Sequence, residues 1–98
     1  MSPPATVLQE IKSHIQKRGR GYTAWYAGVA SDARSRLFTD HRVDETHGEW
    51  IFRTLNSDAE ARIVEEALLS LGCKGGSGGE DASSNKVYAY LITATTVE

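Results

Sequence analysis

The sequence predicts a small α+β domain, in which a three-stranded sheet is flanked by about three helices. Its 98 residues are enough for one domain. Segments with helical periodicity alternate with short runs rich in aromatic and β-branched residues, in the order helix, strand, helix, strand, helix, strand. Three strands with helices grouped around them are typical of the α+β class.

Composition narrows the class of protein further. The apolar and charged fractions are ordinary for a globular chain. No apolar run approaches the about 20 residues that cross a bilayer, and the N-terminal residues lack the pattern of a signal peptide. Cys73 is the single cysteine, so no internal disulfide is expected, and it is interpreted as a small packing residue. These features predict a cytoplasmic protein without a membrane segment.

The charge is distributed unevenly. The net charge of −2 argues against a general nucleic-acid coat. Basic residues nevertheless outnumber acidic ones in residues 1–41, and the reverse holds in residues 42–98. The N-terminal half is therefore a candidate phosphate-facing surface, with chance scatter as the alternative.

The first helix is predicted to begin near Ala5, after two prolines, and to end at Lys17 and Arg18, where Gly19 stops it. The basic run 17–21 either contacts phosphate or simply closes the helix. Apolar residues at helical spacing define the buried face: Val7, Leu8, Ile11 and Ile15.

Residues 22–29 form the first predicted strand because they are rich in aromatic residues. The period of two places Tyr22, Ala24 and Tyr26 on one face of this strand.

The second helix is predicted to begin after a cap at Ser31 or Asp32 and to end near Asp40. Leu37 and Phe38 supply its buried side.

Residues 49–55 read as the second strand, and a helix follows over about residues 58–71. Ser57 and Glu60 have the spacing of a capping box. The apolar residues of this helix recur at spacings of three and four: Ala61, Val64, Leu68 and Leu71.

The last third of the chain contains a long loop and the most apolar run. Residues 74–86 are rich in Gly, Ser, Asp and Asn, which predicts a flexible loop, and they lack the ending of a P-loop. Residues 87–92 are apolar on both alternating faces, which predicts a central strand covered on both sides.

One segment resembles a known signature. Tyr26-Ala27-Gly28 on a strand, Arg36 on the following helix and His41 at its end match the second half of the GIY-YIG nuclease motif. The resemblance continues in the later helix, where Glu65 follows Ala61 by four and precedes two leucines, as the family's metal-binding Glu does. It covers about residues 25–71, close to half of the chain.

The first half of that signature, a Gly-Ile-Tyr strand before Tyr26, is missing. We hypothesise that residues 87–92 take its place in space, as in a circular permutation, with the long loop providing the reach. Either Tyr88 or Tyr90 would then supply the missing phenol. Tyr22, which is expected on the face of Tyr26, is the alternative.

The resemblance implies hydrolysis of DNA phosphodiester bonds with a divalent cation such as Mg²⁺. Glu65 would bind the cation, and Arg36 would hold the phosphate oxygens with its planar guanidinium. His41 would assist proton transfer.

The resemblance also implies a role for the tyrosines in activating the attacking water. Tyr26, together with Tyr88 or Tyr90, would position or deprotonate the attacking water.

Two further interpretations stay open. The chain is either a degenerate module of this fold that binds nucleic acid or a protein without cleaving, or an unrelated α+β interaction domain. Each candidate residue also has an ordinary structural explanation: aromatic residues in a core, and charged residues or a helix-end histidine at the surface.

Overall fold

The computed structural model describes residues 3–75 and 84–97. Within these ranges it contains three helical regions and a three-stranded antiparallel sheet, which confirms the predicted α+β class. No helix in these ranges has the length and apolar character needed to cross a membrane. The elements are α1 (Pro4–Lys17), β1 (Trp25–Ala30), α2 (Ala33–Ser35) with a π-helical turn (Arg36–Asp40), β2 (Trp50–Thr54), α3 (Asp58–Leu71) and β3 (Lys86–Leu91).

Helix α1 agrees with the sequence pattern. Its three fully buried residues are Val7, Ile11 and Ile15, one face at helical spacing. After the helix ends, Gly19 takes a positive φ of 72°, a conformation that glycine adopts without steric cost.

The first strand begins later than predicted. Residues Tyr22–Ala24 form a short 3-10 turn, closed by the bond from Ala24 N–H to the Gly21 carbonyl. Tyr22 consequently packs beside the core on the α1 side of the sheet, away from Tyr26. The prediction that these two tyrosines share a face is therefore wrong.

The second helix begins as a short α-helix and continues as a π-helical turn. Asp32 is the cap, and its carboxylate accepts from Ser35 N–H at 3.1 Å. From Arg36 the helix changes to a π turn, in which His41 N–H donates to the Arg36 carbonyl five residues earlier. This turn sets the position of His41.

Strand β2 is one residue shorter at each end than predicted, and α3 has the predicted bounds. The Ser57 hydroxyl caps α3 by accepting from Glu60 N–H at 3.2 Å. The Glu60 carboxylate accepts from Asn56 N–H rather than from Ser57 N–H, so the capping box is displaced by one residue.

The strand order β1-β3-β2 makes β3 the central strand, as predicted. Its antiparallel pairing with β1 places Tyr90 opposite Tyr26 and Tyr88 opposite Gly28. The predicted position of the C-terminal strand beside the Tyr26 strand is confirmed. Residues 76–83 of the predicted loop lie outside the described ranges, and Lys74 bridges to β1 at Tyr26.

A separate buried cluster lies on each face of the sheet. Helices α1 and α3 cover one face, where Trp25, Val87 and Ala89 are buried. The second helix and its π turn cover the other face, through Ala33 and Leu37. Cys73 belongs to the first cluster, and burial raises the pKa of its thiol to about 11, in keeping with a packing role.

Candidate functional site

Four predicted site residues meet on one face of the sheet: Tyr26, His41, Tyr88 and Tyr90, here called the tyrosine–histidine cluster. The ring centroid of Tyr26 lies 5.2 Å from that of Tyr90 and 6.5 Å from that of Tyr88. The His41 ring lies 4.8 Å from Tyr26 and 4.9 Å from Tyr90. Strand pairing supplies the tyrosines, and the π turn supplies the histidine.

Hydrogen bonds join the cluster internally. His41 Nδ1 lies 2.6 Å from the Val97 carbonyl oxygen, which can only accept, so these partners assign the proton of a neutral imidazole to Nδ1. His41 Nε2 then accepts from the Tyr88 hydroxyl at 2.8 Å. The Tyr90 hydroxyl lies 3.1 Å from Nδ1 and donates to the same carbonyl at 3.3 Å.

The cluster is closed to solvent. The exposed fractions are 8% for Tyr26, 4% for His41, 1% for Tyr88 and 0% for Tyr90. A buried set of polar groups that bond one another stabilises a single core arrangement. The polar atoms of His41, Tyr88 and Tyr90 are directed at one another and at the Val97 carbonyl.

Gly28 has a packing role in this arrangement. The phenol of Tyr88 lies across it, and a Cβ at residue 28 would meet the Tyr88 oxygen at 2.5 Å and its Cζ at 2.7 Å. The glycine of the Tyr-Ala-Gly motif is therefore required by the close approach of Tyr88.

Arg36 lies on the π turn that covers this face. Its Nε is 3.3 Å from the Asp40 carboxylate, an ion pair without the alignment of a good hydrogen bond. Its side chain is only partly buried. Arg36 is thus part of the segment that covers the cluster, and its guanidinium pairs with Asp40 of the same turn.

Glu65 lies on α3, whose buried residues pack on the other face of the sheet. One turn later, Leu69 lies against Gly75 at the outer edge of β1, so Glu65 is on the side of α3 that follows this edge. Across residues 3–75 and 84–97 there is no group of three or more His, Cys, Asp or Glu suited to a metal ion. Mg²⁺ binding by Glu65 stays a prediction.

A second feature of the same face was not identified from the sequence. Phe38, Trp50 and Phe52 are half-buried, and the guanidinium of Arg34 lies 5.0 Å from the Phe38 ring centroid and 6.0 Å from that of Trp50. Trp50 and Phe52 have nearly parallel rings 6.2 Å apart. These four residues are called the aromatic–arginine surface.

The sequence contains two spacings that could have indicated this surface. Arg34 and Phe38 are four residues apart on a helix, and Trp50 and Phe52 are two apart on a strand, which places each pair on one face. The ring of Phe38 meets that of Trp50 at 4.9 Å and 81°. Arg34 also pairs with Glu45.

The chain was compared with protein-family models, with curated proteins and with solved structures, and none of them matched it.

Proposed function

We propose that this chain is a GIY-YIG-like module that binds DNA without cleaving it. The burial of the tyrosine–histidine cluster carries this proposal. Hydrolysis requires a base that reaches the attacking water within hydrogen-bond distance. The phenols of Tyr88 and Tyr90 and the imidazole of His41 are directed at one another and at Val97 instead.

The aromatic–arginine surface supports binding. Aromatic side chains stack on bases, and this stacking favours single strands, whose bases are accessible. The planar guanidinium of Arg34 stacks on bases or pairs with phosphate. Its present partner, Glu45, forms a half-exposed ion pair, which costs little to exchange.

The direct experiment titrates a fluorescently labelled single-stranded oligonucleotide with the protein at several salt concentrations. Phe38→Ala removes one stacking ring, so the Kd is expected to rise about tenfold, since one base stack contributes about 1–3 kcal/mol. Arg34→Ala is expected to weaken binding and to reduce its salt dependence. Arg62→Ala, an ion-paired arginine on α3, is the matched control. Equal binding by the control and both variants contradicts the proposal.

A cleaving enzyme is the second candidate, and the pairing of Tyr90 with Tyr26 favours it, because the permuted signature needs these phenols together. A Mg²⁺-dependent nicking assay with wild type, Arg36→Ala and Glu65→Ala distinguishes the two. Cleavage that both variants lose supports the enzyme. Cleavage that survives in both indicates a contaminant.

A further inference from the structure

A groove separates α1 from β2 on the face of the sheet opposite the tyrosine–histidine cluster. Two ion pairs join its walls: Arg53 Nε to Glu10 at 3.0 Å, and Arg18 Nε to Glu49 at 2.6 Å. From the Arg18–Glu49 pair to the Arg53–Glu10 pair, the chain advances by four residues along β2, about 13 Å. Between the same two pairs, the positions on α1 go back by eight residues, about 12 Å. The helix and the strand therefore run antiparallel, side by side. The cavity between them has a volume of about 620 Å³.

Strand β2 is an edge of the sheet, and the register shows which backbone groups face outward. Leu91 N–H donates to the Glu49 carbonyl, and Leu55 N–H donates to the Asn85 carbonyl, so the odd-numbered residues of β2 bond to β3. The N–H and C=O groups of Trp50, Phe52 and Thr54 consequently face away from β3. The edge is at least five residues long.

The opposite edge of the sheet differs. There Lys74 pairs with β1, accepting from Ala27 N–H and donating to the Trp25 carbonyl, each at 2.8 Å. On the β2 edge, the guanidinium of Arg53 donates to the Phe52 carbonyl, a side-chain contact that an incoming strand can replace.

The groove carries an excess of positive charge. Lys17, Arg18 and Arg53 line it. Glu10 pairs with Arg53 and Glu49 pairs with Arg18, so three cations face two carboxylates. The side chain of Arg18 is 33% exposed and that of Arg53 is 43% exposed, so their ion pairs with Glu49 and Glu10 exchange readily. Ile51 and Ala5 supply apolar lining.

We propose that this groove binds an extended acidic peptide, which adds to the edge of β2 as a fourth strand. Its backbone would pair with Trp50, Phe52 and Thr54, and alternate side chains would enter the groove. Carboxylates of the peptide would take the places of Glu10 and Glu49 at Arg53 and Arg18. The peptide would meet the backbone of Trp50 and Phe52, whose side chains belong to the aromatic–arginine surface. The test uses no nucleic acid and varies Arg53 and Glu10, which lie outside that surface, so its outcome does not depend on DNA binding.

The probe is a blocked seven-residue peptide that alternates glutamate and valine. NMR-detected hydrogen exchange is measured with and without it. The amides of Trp50, Phe52 and Thr54 are expected to exchange more slowly when the peptide is bound, while those of Ile51 and Arg53, already bonded to β3, serve as the internal reference. A peptide with lysine in place of glutamate, and one N-methylated at alternate residues, are expected to bind weakly.

Two variants give opposite expected results. Arg53→Ala removes a cation, and the Kd for the acidic peptide is expected to rise about fivefold, the range of an exposed ion pair. Glu10→Gln removes the internal competitor for Arg53, and the Kd is expected to fall. Arg62→Ala, whose guanidinium pairs with Asp58 on α3, is expected to leave it unchanged.

Several results would overturn the proposal. These are equal binding of the lysine peptide or of the N-methylated peptide, absence of binding, and unchanged affinity in both groove variants. Protection of the three amides that appears without peptide and grows with protein concentration would instead identify a second copy of the chain as the occupant.

Discussion

At the scale of single residues, the contact between Gly28 and Tyr88 links the motif to the core. Strand periodicity and the resemblance together were sufficient to expect Tyr26 near Tyr88 and Tyr90. They were not sufficient to show that the phenols are buried, because the closing contact comes from the Val97 carbonyl, a backbone group that no side-chain pattern marks.

Replacing Gly28 tests this packing. Gly28→Ala places a methyl group 2.5 Å from the Tyr88 oxygen, and Tyr88 is fixed by burial and by His41. The free energy of unfolding, measured with urea, is expected to fall by about 1–3 kcal/mol. In a Tyr88→Ala background the same change is expected to cost much less. Strict additivity of the two substitutions would show that the clash does not govern the effect.

His14 gives a residue-scale prediction for pH. Burial first, and the nearby Arg18 guanidinium second, lower the pKa of His14 below its ordinary value of 6.5. Because the folded-state pKa lies below the unfolded-state pKa, the unfolded chain binds more protons as the pH falls. The contribution to stability is complete above about pH 6.5 and is lost as the pH falls through the folded-state pKa.

Urea unfolding at about pH 7.5 and about pH 5.5 measures this loss. His14→Gln is expected to lose less stability between these values than the wild type. His47→Gln changes a side chain that is 84% exposed and should retain the wild-type loss, so that contributions of other groups cancel in the comparison. An unchanged loss in His14→Gln would contradict the assignment.

At the scale of elements, the sequence predicted the helices and strands well and their ends less well. Helix α3 agreed because Ser57, Gly72 and the apolar spacing all indicate the same bounds. The π turn after Ser35 was not predicted, since its side chains fit an ordinary helix. The turn is defined by a backbone bond, from His41 N–H to the Arg36 carbonyl, that closes one residue later than in an α-helix.

The cap of α3 gives a prediction at this scale. Ser57→Ala removes the hydroxyl that accepts from Glu60 N–H, and the free energy of unfolding is expected to fall by about 1 kcal/mol. Ser57→Asp retains an acceptor at the helix N-terminus and is expected to remain near wild type. Equal losses in the two variants would mean that the hydroxyl does not act as a cap.

At the scale of the whole molecule, the central position of β3 organises both faces. Its odd-numbered residues join the core under α1 and α3, and its tyrosines join the other core. The sequence indicated this centrality through an apolar run without alternation. It did not reveal the groove beside β2, because the antiparallel alignment of α1 and β2 depends on contacts between residues distant in sequence. Arg18 and Glu49 are 31 positions apart, and Arg53 and Glu10 are 43 apart.

Closure of the tyrosine–histidine cluster is the central structural claim. Nitration of the native protein by tetranitromethane, mapped by mass spectrometry, measures it directly. Tyr22, whose hydroxyl accepts an exposed hydrogen bond from Gln16, is the internal reference. We expect Tyr22 to be nitrated while Tyr26, Tyr88 and Tyr90 stay unmodified until the protein unfolds. Nitration of any of these three at the rate of Tyr22 would show that the cluster is open to solvent and would contradict binding without cleavage.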